Sequence, residues 1–241
     1  NADQVETTFA VYFYGSTDLR AESAGADAVT SQINTYRYTS AYFDANVLTI
    51  AAGDYTAGRI KSVSYNSIAR NGVDRLKGEE VTDYTQNYNT LGTVTSTAVY
   101  FYGTNRADAA ASEDLNTQVN TYRLGYIGST FDDKTNIKSI TYNYTTGLEK
   151  GEETTNYAVN YNADQAVTST AVYFYGSTNL RAAAAGADAV TSRISTFRGE
   201  LPVVEGVSYD ALSYTTFTIS AGQAYTEDGA PMTAALAIVV A

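Results

Sequence analysis

Ala10-Val11-Tyr12-Phe13-Tyr14-Gly15 decides the fold, because the same six residues return at 98–103 and at 171–176. A hexapeptide repeated identically three times in one chain marks an internally repeated architecture. The copies begin 88 and then 73 residues apart, so the units differ in the lengths of their connections. Each copy is a continuous apolar and aromatic run stopped by glycine, which reads as the central strand of its unit, covered on both faces.

Past the glycine the apolar residues change period. In the third copy Asn179 is placed to cap a run from Leu180 through Ala182, Ala183, Ala184 and Ala185 to Arg198, with Val190, Ile194 and Phe197 at helical spacing. The first copy carries Leu19, Val29, Ile33 and Tyr36 after Asp18, and the second Leu115, Val119 and Tyr122. These stripes predict a helix of about five turns in each unit. Gly25 and Gly186 fall inside the predicted helices, and Arg37, Arg123 and Arg198 close them, where a cation complements the negative end of the helix dipole.

Beyond each helix the pattern turns β. Ile60-Lys61-Ser62-Val63-Ser64-Tyr65-Asn66 matches Ile137-Lys138-Ser139-Ile140-Thr141-Tyr142-Asn143, alternating apolar and polar residues. Lys-Gly-Glu-Glu turns at 77–80 and 150–153 lead into tyrosine-rich strands expected at 81–88 and 154–161. In the third unit Phe217-Thr218-Ile219-Ser220-Ala221-Gly222 resembles Leu48-Thr49-Ile50-Ala51-Ala52-Gly53, and the chain closes on Ala-Ala-Leu-Ala-Ile-Val-Val-Ala at 234–241. Such a run, without polar alternation, predicts a strand covered on both faces, either in its own sheet or donated to the next subunit.

The expected fold is therefore α+β and β-rich: three imperfect strand-helix-strands repeats, 1–88, 89–161 and 162–241, with helices packed on a mainly antiparallel or mixed sheet. No Pro-rich or Gly/Ser-rich linker separates the units, which are expected to abut as one continuous body.

The net charge of −11 and pI near 4.4 oppose binding to nucleic acid or anionic lipid. No apolar run approaches the eighteen residues of a membrane-spanning helix, so membrane insertion is not expected. Cysteine and histidine are absent, which removes disulfides, thiolate metal sites and histidine catalysis. Asn1-Ala2-Asp3-Gln4 recurs as Asn162-Ala163-Asp164-Gln165, so the start coincides with a repeat boundary and reads as the product of signal-peptide removal.

The remaining motifs offer little chemistry. Tyr14-Gly15-Ser16-Thr17 resembles the opening of the flavodoxin phosphate loop, which implies strand, turn and helix. Its continuation here, Asp18-Leu19-Arg20, and Asn179-Leu180-Arg181 in the third unit, departs from that family's Thr-Gly-Asn-Thr, and no flavin or other cofactor is expected. Glu79-Glu80 and Glu152-Glu153 read as solvated turn charges rather than a glycosidase pair. Asp132-Asp133 and Glu227-Asp228-Gly229 lack the Asp-x-Asp-x-Asp-Gly pattern of a calcium loop, so no metal is expected. Asn143-Tyr144-Thr145 is an N-glycosylation sequon.

The 22 tyrosines, against five lysines and two prolines, form the main anomaly. Spread through every unit, they suit cross-strand ladders and broad interfaces, while few residues guard strand edges against pairing. The sequence thus predicts a secreted, non-enzymatic, self-assembling structural protein: the subunit of a filament, tube, sheath or surface lattice on a prokaryotic cell. Its partner would be itself, through Tyr84, Tyr88, Tyr157, Tyr161 and the tail residues Leu236, Ile238, Val239 and Val240. Readings of other classes are an adhesin whose exposed tyrosines stack on cell-surface glycans and a glycosidase-type enzyme.

Overall fold

A computed structural model describes residues 6–56, 58–201, 219–220, 223–225 and 231–232. The main body is one ten-stranded antiparallel sheet. Its strands are β1 (Thr8–Tyr14), β2 (Thr30–Arg37), β3 (Ile60–Ser67), β6 (Val81–Tyr88), β7 (Val94–Tyr102), β8 (Asn116–Arg123), β9 (Ile137–Tyr144), β10 (Thr154–Tyr161), β11 (Val167–Tyr175) and β12 (Thr191–Arg198). They lie side by side in that order, a meander interrupted only by the hairpin β4 (Ala69–Arg70) and β5 (Val73–Asp74). Short strands β13 (Ile219–Ser220), β14 (Gln223–Tyr225) and β15 (Pro231–Met232) form a separate small sheet.

This overturns the α+β expectation. No helix of five turns follows any copy of the hexapeptide; the α-helix among the described residues is α1 (Ser40–Asn46), seven residues long, and the alanine run makes only a 3-10 turn at Ala182–Ala184. Asp18 and Asn179, expected as helix caps, instead hold left-handed backbone at φ 52°. That geometry reverses the chain at once, so Leu19 bridges back to Tyr14 and Leu180 to Tyr175. Residues 30–37, 116–123 and 191–198, the C-terminal halves of the expected helices, are strands β2, β8 and β12. Gly25 and Gly186 lie in the loops before them, with open space where a Cβ would be.

The cause of the misreading is visible in β2 and β8. Their buried residues alternate as Gln32-Asn34-Tyr36 and Gln118-Asn120-Tyr122, all at most 4% exposed. Two polar residues on the covered face mask a period of two from any count of apolar residues. Ile33 and Val119 point to the opposite face, and with Tyr36 and Tyr122 they counterfeit a helical stripe. In the third unit the supposed stripe is not buried as one: Val190 and Ile194 are 78% and 51% exposed, Phe197 only 5%.

The two faces of the sheet differ throughout. One row runs across all ten strands as Phe13, Gln32, Tyr65, Tyr84, Val99, Asn120, Ile140, Val159, Thr170 and Phe197. Here the core forms: the β2–β3 connection brings Ile50, Ala52 and Tyr55 onto Val11, Phe13, Tyr36 and Val63, and the β8–β9 connection brings Tyr126 and Phe131 onto Val99, Phe101 and Tyr122. The opposite row is Tyr12, Ile33, Ser64, Thr85, Ala98, Thr121, Ser139, Asn160, Ser169 and Arg198. From Ser64 to Ser169 it is small and mainly polar, and exposed in part along its length, as befits an antiparallel sheet with one wet face. In β1 the hexapeptide is therefore buried on one face, through Val11 and Phe13, and not on both, since Tyr12 is 48% exposed.

Candidate assembly surface

The strands repeat as a four-membered set, first strand to fourth, then again from β7, then β11 and β12. Within a set the second strand clamps its covering loop. Gln32 Nε2 donates to Asn34 Oδ1 at 2.6 Å and to the Ala52 carbonyl at 2.7 Å; Asn34 Nδ2 donates to Tyr36 Oη and the same carbonyl, both at 3.0 Å; Tyr36 Oη donates to the Asp54 carbonyl at 2.8 Å. Gln118, Asn120 and Tyr122 repeat this on the carbonyls of Phe131 and Asp133. Each loop carbonyl taken from water is thus paired, as burial requires. β12 offers Arg193, Ser195 and Phe197 at these places.

Arg37 and Arg123 do not cap helices. Arg37 donates to the Ile60 carbonyl and, at 3.0 Å, to that of Tyr88; Arg123 donates to those of Ile137 and Tyr161. Each guanidinium therefore staples the third and fourth strands of its set. Glu80 and Glu153 are not free turn charges either. Glu80 Oε1 accepts from Thr30 N at 2.7 Å and Glu153 Oε1 from Asn116 N at 3.0 Å, while Glu79 and Glu152 close their own turns onto Leu76 N and Glu149 N. Burial pushes the Glu80 carboxyl up, yet the N–H groups of Thr30, Glu80 and Gly78 outweigh it and hold it below the usual carboxylate range.

Between sets, a fourth strand seats on the following hexapeptide strand: β6 on β7 and β10 on β11, with Thr85 opposite Ala98 and Ala158 opposite Ala171. An arginine from the next loop crosses each junction. Arg106, over the Phe101 ring, binds Asp83 through Nε and a second nitrogen at 2.8 and 2.7 Å; Arg181, over Phe174, donates to Asn156 Oδ1. The β4–β5 hairpin, which the second set lacks, adds Arg75, whose guanidinium reaches the Ala107 and Ala110 carbonyls at 2.7 Å each.

β1 is the same strand without a neighbour on its outer side among the described residues. Ala171 is 8% exposed where β10 flanks it, whereas Ala10 is exposed. Arg20 turns inward, donating to the Val47 and Ile50 carbonyls at 3.0 Å. Phe9, which replaces Thr97 and Thr170 of the later copies, builds an aromatic corner with Tyr36, Tyr38, Tyr42 and Phe43 at 5.1–6.4 Å between ring centroids. Sequence reasoning missed Phe9 and Arg20, although aligning the three copies exposes the Phe-for-Thr exchange.

The tyrosines predicted for assembly serve the chain's own sheet. Tyr84 stacks on Tyr65 and Tyr157 on Tyr142, each at 4.5 Å; Tyr88 stacks on Tyr55 at 5.7 Å and Tyr161 lies under Lys134. Burial pushes Tyr88 and Tyr161 up to about 12. Asn143 sits in β9 with its amide nitrogen donating to the carbonyl and side-chain oxygen of Asn116 at 3.0 and 2.8 Å. Asp133 uses its carboxylate on Tyr126 Oη and Thr135 N. Leu236, Ile238, Val239 and Val240, with Glu227, Asp228 and Gly229, lie outside the described residues.

No protein-family model matches the chain, and neither the curated proteins nor the solved structures give a match.

Proposed function

We propose that the chain is a secreted structural protein that assembles with copies of itself into an extracellular filament, tube, sheath or surface lattice of a prokaryotic cell. The observation that carries this reading is the junction between sets. The chain uses it twice internally, β6 on β7 and β10 on β11, and presents the receiving strand a third time at the open edge of β1. An exposed, uncharged edge strand is a template for another chain. Heterologous contacts of this kind build rings or open fibres according to their geometry.

Sedimentation of purified protein followed by negative-stain microscopy tests the reading. Ordered polymers above a critical concentration are the expected result. A strict monomer that binds a glycan array would sink it in favour of the adhesin.

A further inference from the structure

We propose that the outer edge of β1 is a strand seat, and that its occupant is residues 234–241 of a second copy of this chain. The inference rests on the assembly reading and names the contact that would build the polymer.

Three observations converge on this occupant. First, wherever a hexapeptide strand is flanked on its outer side, the flanking strand is the fourth of a set, and both such strands, β6 and β10, are eight residues long and already paired on both edges. A second copy has neither to offer. Its third set, however, begins with β11 and β12 and ends in the eight residues Ala-Ala-Leu-Ala-Ile-Val-Val-Ala.

Second, the polar device of the internal junctions is withdrawn at β1. Arg106 and Arg181 reach across to Asp83 and Asn156, whereas Arg20 spends its two terminal nitrogens on the Val47 and Ile50 carbonyls of its own unit. Counting eight residues against eight sets Leu236 where β6 has Asp83 and β10 has Asn156. An edge that no longer asks for an acceptor meets a strand that offers none.

Third, Phe9 stands where the later copies have threonine, and with Tyr42 and Phe43 it gives the covered face of the β1 edge an aromatic flank. An uncharged strand gains by laying apolar side chains against that flank.

The internal registers, Thr85 opposite Ala98 and Ala158 opposite Ala171, transfer to Ile238 opposite Ala10. Opposed residues on antiparallel neighbours bring their Cβ atoms close to disulfide distance. The chain has no cysteine, so full-length Ala10→Cys and Ile238→Cys proteins can be mixed and oxidised without background. Near-UV circular dichroism first checks that both variants keep the wild-type fold.

A disulfide-linked dimer that forms in the mixture and is lost when either variant is oxidised alone is the expected result. Equal dimer in all three samples, or none, overturns the seat. Sedimentation of wild-type protein is read in parallel: polymers without the mixed disulfide leave the structural reading standing and refute this contact, while absence of polymer refutes the reading itself.

Discussion

Gly128 shows how tightly the loop clamp is built. A Cβ there would lie 2.1 Å from the Tyr122 hydroxyl oxygen, and that ring is fully buried and held by hydrogen bonds to Asn120 and the Asp133 carbonyl. Gly128→Ala should therefore cost about 1–3 kcal/mol in urea unfolding, the usual range for overpacking. Asn120→Ala leaves the Phe131 carbonyl without one donor and removes the Tyr122 contact; a similar loss of about 1–3 kcal/mol is expected. The same tyrosines set a pH limit. Burial raises Tyr122, Tyr88 and Tyr161 to about 12. An unfolded tyrosine titrates near 10, so their contribution is complete below about pH 10 and lost as pH rises toward about 12. Alkaline titration followed by far-UV circular dichroism should show unfolding within that window, and a transition complete below pH 9 would contradict it. Glu80 works in the other direction: its lowered carboxyl contributes above its unfolded value, near 4.3, and the contribution is lost as pH falls further. Acid unfolding of Glu80→Gln should accordingly be less steep.

Among the elements, the second strand of each set was the one most open to misreading. Strands β3, β6, β9 and β10 stand where alternation and tyrosine-threonine content put them. β2 and β8 bury glutamine and asparagine instead, and the partners that make this tolerable are carbonyls 11–20 residues away. No local pattern announces such a partner. The junction between sets depends less on its ion pair than on the strand ladder. Arg106 and Asp83 have side chains 17% and 25% exposed, so a double-mutant cycle between them should give a coupling of at most about 1 kcal/mol. A coupling of several kcal/mol would show instead that the clasp holds the junction.

At the scale of the molecule, a meander in which each strand touches only its neighbours behaves as a quasi-one-dimensional array. Hydrogen exchange should accordingly be slowest in β7, β8 and β9, which have at least three strands on either side, and faster toward β1 and β12. Under polymerising conditions, protection of β1 should rise if its edge is the contact; unchanged exchange there would argue against it.

By itself the sequence determined that the chain is built from repeats and where the hexapeptide, third and fourth strands fall. It did so because those features are local: identity of copies, period-two alternation and residue type. Only the tertiary structure decided that the sets join in one antiparallel sheet, that Gln-Asn-Tyr ladders replace helices, and that one hexapeptide strand stands at the edge among the described residues. These depend on tertiary pairing, where a buried polar side chain is stable only because a loop carbonyl meets it, and no periodic pattern of residue types marks that partner.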